Sequence, residues 1–353
     1  MPFEKDKFSS STNKWKKILN KDKKKINNFI HNNISISAEL LDQSKSNEIN
    51  SSNYRIRIND DFFLLKKWKN VSDPKKLKNI LSLMLWKNLD GLSLQIPVKF
   101  NNKKFYKKFE NSYWSYFKYI EGNHFKGSIQ ELKSTAAKLG KFFFKLKNYP
   151  NIKSFKKFPS YYSNEDKKII NSLKYNFDVI EKCFSKKVSK KIKFYLPFII
   201  EEFYIQNKIY KKINNNSKFL CHTDIHPHNI ICKNNTFRTV IDLDSCKIAK
   251  INYAIAYAIL KLIKQVIIFN KNKKKNFQFT EIFFKEFSKE FKLNKDFKKN
   301  IYHYAITEVL RRIIFTLKIN IYNKDKRWNH IIPIQINHLE ECKILFNDKR
   351  IIL

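Results

Sequence analysis

The chain has 353 residues, of which 42% are hydrophobic, enough for a sizeable core and too apolar for a wholly disordered protein. Its 72 basic and 31 acidic residues leave a net charge of +41, and only 7 of the basic residues are Arg. A surface selected for phosphate or base contacts favours the planar fork of Arg, so this Lys-dominated charge reads as solvated composition before it reads as a nucleic-acid footprint.

Residues 1–33 read as a Lys-rich extension with a loosely docked helix around Trp15–Ile30 and no apolar run of the kind that heads a secretory signal. From 34 to 120 the texture is that of a small sheet-rich lobe. Ile34–Leu41 reads as a strand, Asp42–Asn53 as a polar loop, and Tyr54–Asn59 and Phe62–Trp68 as an antiparallel pair turned at Asp60-Asp61. Ser72-Asp73-Pro74 is a helix start, with a helix expected over Pro74–Leu89. Two strands follow, around Gln95–Phe100 and Lys104–Glu110, and then the segment Tyr113–Ile120.

From 121 to 353 the chain is mostly helical. Helices are expected over Ile129–Leu146, Asn164–Cys183, Leu196–Lys212, Tyr253–Phe269, Thr280–Phe291, Lys299–Ile319 and Ile334–Phe346. Tyr253–Phe269 is the most apolar, but Lys261 and Lys264 interrupt it, so it reads as a core helix and not a membrane span. Five cysteines at irregular spacing imply no disulfide framework and suit a reducing, cytoplasmic setting.

One strand–loop–strand island, 219–244, carries the chemistry. It reads Cys221-His222-Thr223-Asp224-Ile225-His226-Pro227-His228-Asn229, and then Val240-Ile241-Asp242-Leu243-Asp244. The hairpin between Asn229 and Asp242 brings an amide oxygen and a carboxylate to one end. Those are hard ligands for a divalent ion holding polyphosphate. Asp224, five residues before the amide, is placed to take a proton from an attacking hydroxyl. His222, His226 and His228 with Cys221 and Cys232 raise a zinc reading. No Cys-x2–4-Cys pair exists, however, and the spacing fits no common zinc pattern.

The segment HTDIHPHN…VIDLD resembles the catalytic and metal-binding motifs of the aminoglycoside phosphotransferase/choline kinase family, small-molecule kinases with a protein-kinase-like fold. The likeness extends to FFLLK, which puts Lys66 where the family's ATP-phosphate lysine sits, and to YWSYFKYIEG, which is similar to its hinge. The resemblance implies a two-lobed α+β fold, ATP and Mg2+ as cofactors, and a small hydroxyl-bearing acceptor. It implies Asp224 as catalytic base, Asn229 and Asp242 as metal ligands, and Lys66 with the backbone of Lys118, Tyr119 and Ile120 as the nucleotide site. It gives His222 a bracing role and Asp244 an auxiliary one.

Two departures stand out. Loop 42–53 has no Gly, and helix 74–89 has no acid to partner the lysine. They keep open a silent kinase-like module, beside a basic nucleic-acid-binding protein. A protein acceptor is disfavoured because no Ala-Pro-Glu-like segment follows Asp242. Glu201, Glu202 and Glu308 read as ion-pairing residues or as an acidic subsite for an amine-bearing acceptor. Amino sugars, amino alcohols, homoserine-like amino acids and vitamin precursors all remain compatible, and the oligomeric state is open.

Overall fold

The computed structural model describes residues 15–44, 51–69, 71, 73–86, 92, 94–175, 177–213, 218–272 and 275–346. The first part forms a seven-stranded antiparallel sheet. Its strands are β1 (Trp15–Lys16), β2 (Glu39–Ser44), β3 (Ser51–Ile58), β4 (Asp61–Trp68), β5 (Pro97–Val98), β6 (Lys107–Phe109) and β7 (Ser112–Lys118). The order is β1-β2-β3-β4-β7-β5, with β6 paired to β7. The expected loop 42–53 narrows, because Asp42 pairs with Arg55 in the β2–β3 ladder; positions 45–50 lie outside the described residues.

Helix α1 (Asn20–Asn33) is not loosely held. Phe29 stacks against Trp114 and Phe109 at 5.1 and 4.8 Å and meets the edge of Phe100, while Ile26 and Ile30 are buried beside it. These three apolar residues lie on one helical face although nine of the helix's fourteen residues are Lys or Asn, so the buried stripe outweighs the polar composition. Helix α2 (Pro74–Met84) covers the other face. Asp73 caps it by accepting from the Lys75 amide at 2.8 Å, and Leu77, Ile80, Leu81 and Met84 are buried. The expected end at Leu89 is shortened to Met84, and 87–91 lie outside the described residues.

The chain crosses over at Glu121-Gly122. Gly122 has φ +152°, and a Cβ there would lie 2.6 Å from the Cys232 carbonyl oxygen, so only glycine fits this close approach. Strand β8 (Asn123–His124) then pairs with β10 (Ile230–Lys233). Helix α3 (Ile129–Lys147) opens with a capping box between Ser128 and Glu131.

The helix expected over Asn164–Cys183 divides into α4 (Asn164–Tyr175) and α5 (Asp178–Cys183). Helix α6 (Lys186–Lys212) starts ten residues before the expected Leu196 and runs through Pro197. Ser189, Ile192 and Leu196 put a buried face on its first turns, which offsets the hydrogen bond that proline removes. The remaining helices are α7 (Ile251–Asn270), α8 (Asn276–Ser288), α9 (Lys295–Asn323) and α10 (Ile332–Phe346).

Among the described residues α7 alone is long and apolar enough to cross a membrane, and 89% of its apolar window is buried inside the protein. Its Lys264 ends in a fully buried ion pair with Glu341 of α10, 2.9 Å apart.

Candidate active site

The site is built on two short hairpins. Strand β9 (Lys218–His222) pairs with β12 (Cys246–Lys250), and β10 pairs with β11 (Thr236–Val240). Asn234 and Asn235 both take positive φ, 52° and 58°, which turns β10 tightly into β11. Between the hairpins lie the two loops that hold the polar residues, 223–229 and 241–245.

Internal bonds stitch these loops together. The imidazole of His222, fully buried, bonds the Ile241 carbonyl through Nε2 at 3.2 Å and accepts from the Asp224 amide through Nδ1 at 3.2 Å. The first of these bonds requires the proton on Nε2, and burial pushes the ring's pKa down, so it stays neutral and keeps that tautomer. The Thr223 hydroxyl donates to the Ser245 carbonyl at 2.9 Å. The Asn229 side-chain amide donates to the Asp224 carbonyl at 2.8 Å, and the Ile241 amide donates to the Asn229 carbonyl at 2.9 Å. The Asn229 nitrogen is thus spent on the loop, and its oxygen is the end left for a cation.

Asp242 sits in the left-handed region, with φ 64° and ψ 45°, a conformation that costs a non-glycine residue about 1 kcal/mol or more. The turn it makes aims its carboxylate back across the cleft. Lys66 of β4 reaches it there: Nζ lies 3.4 Å from Asp242 Oδ1 and 3.9 Å from Asp244 Oδ1. The Lys66 ammonium lies over the Trp68 ring, 4.2 Å from its centroid, and that ring is fixed by a 2.7 Å bond from its Nε1 to the Ser115 hydroxyl. Lys67, one residue on, points the other way and packs over Trp114, as strand alternation requires. Helix α2 has no acid among its residues, and the two aspartates of 242–244 supply the carboxylates that Lys66 meets.

Asp224 faces Arg312 of α9 with Oδ1 3.0 Å from Nη1, and His226 with Oδ2 3.7 Å from Nε2. Burial alone would raise its pKa. Arg312 above all, helped by His226, His222 and Lys261, outweighs that and holds it at about 2. Arg312 also donates to the Thr223 carbonyl at 2.9 Å, lies 3.9 Å over the Tyr257 ring, and pairs with Glu308. Sequence reasoning did not single out Arg312. The signal was there in composition: in a chain with so few Arg, the adjacent pair Arg311-Arg312 marks a place where a fork geometry is needed.

Residues 45–264, a span that ends within α7, match the phosphotransferase enzyme family. The chain belongs to that family. This phosphotransferase is a small-molecule kinase with a two-lobed, protein-kinase-like fold, and solved structures show the fold independently. A spectinomycin phosphotransferase in complex with ADP and spectinomycin superposes with a TM-score of 0.69 at 15% identity, over 93% of this chain and 98% of that one. An amicoumacin kinase in complex with AMP-PNP and Ca2+ gives 0.61 at 12% identity, over 87% and 89%. A Plasmodium vivax ethanolamine kinase gives 0.53 at 14% identity, over 88% and 84%. No curated protein matches the phosphotransferase by sequence.

The hinge expectation falls at the end of β7. The Lys118 amide donates to the Ile96 carbonyl at 3.3 Å and the Tyr119 amide to the Phe62 carbonyl at 3.0 Å. Both amides are therefore engaged in the sheet, and Tyr119 lies 6.3 Å from Trp15 in a tilted ring pair.

A cavity of about 260 Å3 opens beside Asp224, lined from α7, α9, the turn at 326–331 and the start of α10. The acids that sequence offered as an amine subsite are elsewhere. Glu202 pairs with Tyr302 and Gln206, Glu308 with Tyr161, Arg311 and Arg312, and Glu201 is exposed; none lines the cavity. Among the described residues no group of three His, Cys, Asp or Glu side chains is arranged to hold a metal by itself.

Proposed function

We propose that this phosphotransferase moves the γ-phosphoryl group of ATP to a hydroxyl of a small metabolite in the cleft between lobes 34–120 and 121–353. Asp224 receives the acceptor hydroxyl. Asn229 and Asp242 hold Mg2+, Lys66 binds the ATP phosphates, and the backbone of Lys118, Tyr119 and Ile120 borders the adenine. With the Lys118 and Tyr119 amides already bonded within the sheet, the adenine edge falls to Ile120.

The observation that carries this reading is the approach of Lys66 to Asp242 and Asp244 across 176 residues of sequence. A cation from β4 of one lobe and two carboxylates from the 241–245 loop of the other meet across the cleft. The residues fit a magnesium ion. Asp244 Oδ1 is buried with no hydrogen-bond partner, and Mg2+ takes one or two protein carboxylates and fills its octahedron from substrate phosphates and water. When bound, the ion would neutralise charge on the β- and γ-phosphates.

The chain's own residues do the positioning. His222 locks the loop that carries Asp224, Asn229's amide nitrogen ties that loop to its own carbonyl, and Arg312 fixes the Asp224 carboxylate in place. A carboxylate held at about 2 is a weak base. Its main work in a loose phosphoryl-transfer transition state is therefore to orient the hydroxyl, taking the proton late.

The test is ADP release from Mg-ATP across a panel of small hydroxyl compounds, with Asp224→Asn beside it. The variant should lose about 10²–10⁴-fold in kcat while Mg-ATP still binds. Saturable Mg-ATP binding without turnover on any acceptor would identify a silent module, and absence of ATP binding would overturn the assignment.

A further inference from the structure

Trp15 belongs to the Lys-rich extension, to which the sequence attached no chemistry, yet its contacts lie on the nucleotide side of the sheet. Strand β1 pairs with β2, with Trp15 opposite Ser44. The β3–β4 register sets Arg55 opposite Leu64 and Asn53 opposite Lys66, so Arg55, Leu64 and Lys66 share one face. Tyr54, Ile56, Phe63 and Leu65 take the opposite face, clustered with Phe29 and Ile30 of α1. Trp15 meets the Lys66 face. The guanidinium carbon of Arg55 stands 5.2 Å from the centre of the indole and 5.9 Å from that of the Phe62 ring, and Phe62 alternates with Leu64 and Lys66 along β4. Tyr119, whose amide is bonded to the Phe62 carbonyl, brings its ring to 6.3 Å from the indole. Tyr119 follows β7, and β2, β3 and β4 separate β1 from β7. Two rings this close must therefore both lean in across that face.

The group is ordered in advance and partly open. Arg55 donates to Asp42 twice, from Nη2 to Oδ2 at 2.6 Å and from Nε to Oδ1 at 3.2 Å, which fixes the guanidinium plane. Trp15, Tyr119 and Leu64 are half-buried and Phe62 is 40% exposed, so flat apolar surface still faces solvent. It lies where a base has to lie. The nucleotide reading sets the phosphates at Lys66 and the adenine edge at Ile120. Between those two ends the face carries Leu64, Phe62 and Arg55, with the rings of Trp15 and Tyr119 against them. Aromatic rings stack on any base through its π-face, and a guanidinium plane stacks beside them.

We propose that Trp15 is a nucleotide-binding residue of this phosphotransferase, and that with Arg55 and Tyr119 it forms the surface on which the purine base stacks. This rests on the kinase reading above and adds to its nucleotide site a residue from the N-terminal extension. The extension is then part of the working site, and Arg55 and Asp42 act as positioning residues that hold the indole in place.

Binding of Mg-AMP-PNP, and of Mg-tripolyphosphate, which has no base, is measured by calorimetry on the unmodified full chain, on Trp15→Ala and on Trp15→Phe. Trp15→Ala should weaken Mg-AMP-PNP by roughly tenfold to a hundredfold and Mg-tripolyphosphate by less than about twofold. Trp15→Phe should recover most of the loss. In the unmodified chain Mg-AMP-PNP should also quench part of the tryptophan emission, and that part should vanish in Trp15→Phe, a readout that does not depend on how well the Ala variant folds. Equal binding of Mg-AMP-PNP by all three proteins overturns the proposal. Equal weakening of both ligands makes Trp15 merely structural and overturns it too. Tighter Mg-AMP-PNP binding by Trp15→Ala would mean that the indole occupies the place of the base, which also overturns it. The kinase reading fails differently. If the unmodified chain binds no Mg-AMP-PNP, that reading falls and this inference with it, whereas binding indifferent to Trp15 leaves the reading intact and removes only the stacking role.

Discussion

Replacing Arg312 by Met removes the charge that holds Asp224 and keeps most of the volume. The depression of Asp224 from 3.8 to about 2 corresponds, unscreened, to about 2.4 kcal/mol of folding free energy at neutral pH. The Asp224 side chain keeps 34% of its surface, so water screens part of that, and about 1–1.5 kcal/mol is the working figure. The lost bond to the Thr223 carbonyl adds about 1 kcal/mol. Glu308 keeps Arg311, so its buried charge is not stranded. Arg312→Met should thus be less stable by about 2–3 kcal/mol at pH 7.

The sign fixes the pH dependence. A carboxylate with a depressed folded-state pKa stabilises above its unfolded value and loses that stabilisation as pH falls through the folded value. The gap between the two proteins should be full from pH 7 to about 4 and shrink as pH falls from 4 toward 2. Urea melts at stepped pH measure it. A gap below about 0.5 kcal/mol at pH 7, or one that stays constant down to pH 2.5, would refute the role given to the Arg312–Asp224 pair.

Three further outcomes follow from geometry already described. Lys66→Met should raise the KM for ATP by about tenfold or more, because it removes the lobe-bridging charge, and steady-state kinetics at saturating acceptor would show it. Gly122→Ala should cost about 2 kcal/mol or more in thermal or urea denaturation, since its Cβ would meet both the Cys232 carbonyl oxygen and Ile231 Cγ2 at 2.6 Å. Glu341→Gln should destabilise by about 3–5 kcal/mol by leaving Lys264 buried beside a neutral group, while the double replacement Lys264→Met/Glu341→Met should cost clearly less in the same melts.

How much of this was legible in the chain varies with the range of the interaction. Local devices were readable. The Asp73-Pro74 helix start, the strand that carries Lys66, and the hairpin between Asn229 and Asp242 all depend on neighbours within a few residues. Helix α1 was underestimated because its burial depends on Trp114 and Phe100, far along the chain, and not on its own Lys-rich composition. The early start of α6 was hidden by Pro197, which the packing of Ile192 and Leu196 overrides. The cavity wall was least visible. Its lining comes from segments near 224, 261, 312 and 330, and no single window shows that Lys261 and Arg312 face one space. The acids offered as an amine subsite failed for the same reason: Glu202 and Glu308 turn toward Tyr302 and Tyr161.

The contact of Lys66 with Asp242 and Asp244 also bears on the order of events. With the ammonium near both carboxylates, the resting cleft answers its own charges. A lone divalent ion must compete with a tethered cation for them, and a lone polyphosphate must approach two aspartates with its negative charge uncancelled. On the proposed site assignment, the two arriving as one complex would each resolve the other's conflict, the ion taking the carboxylates and the phosphates the lysine. The cleft would then act as a coincidence detector that admits metal and nucleotide together and holds either one poorly alone.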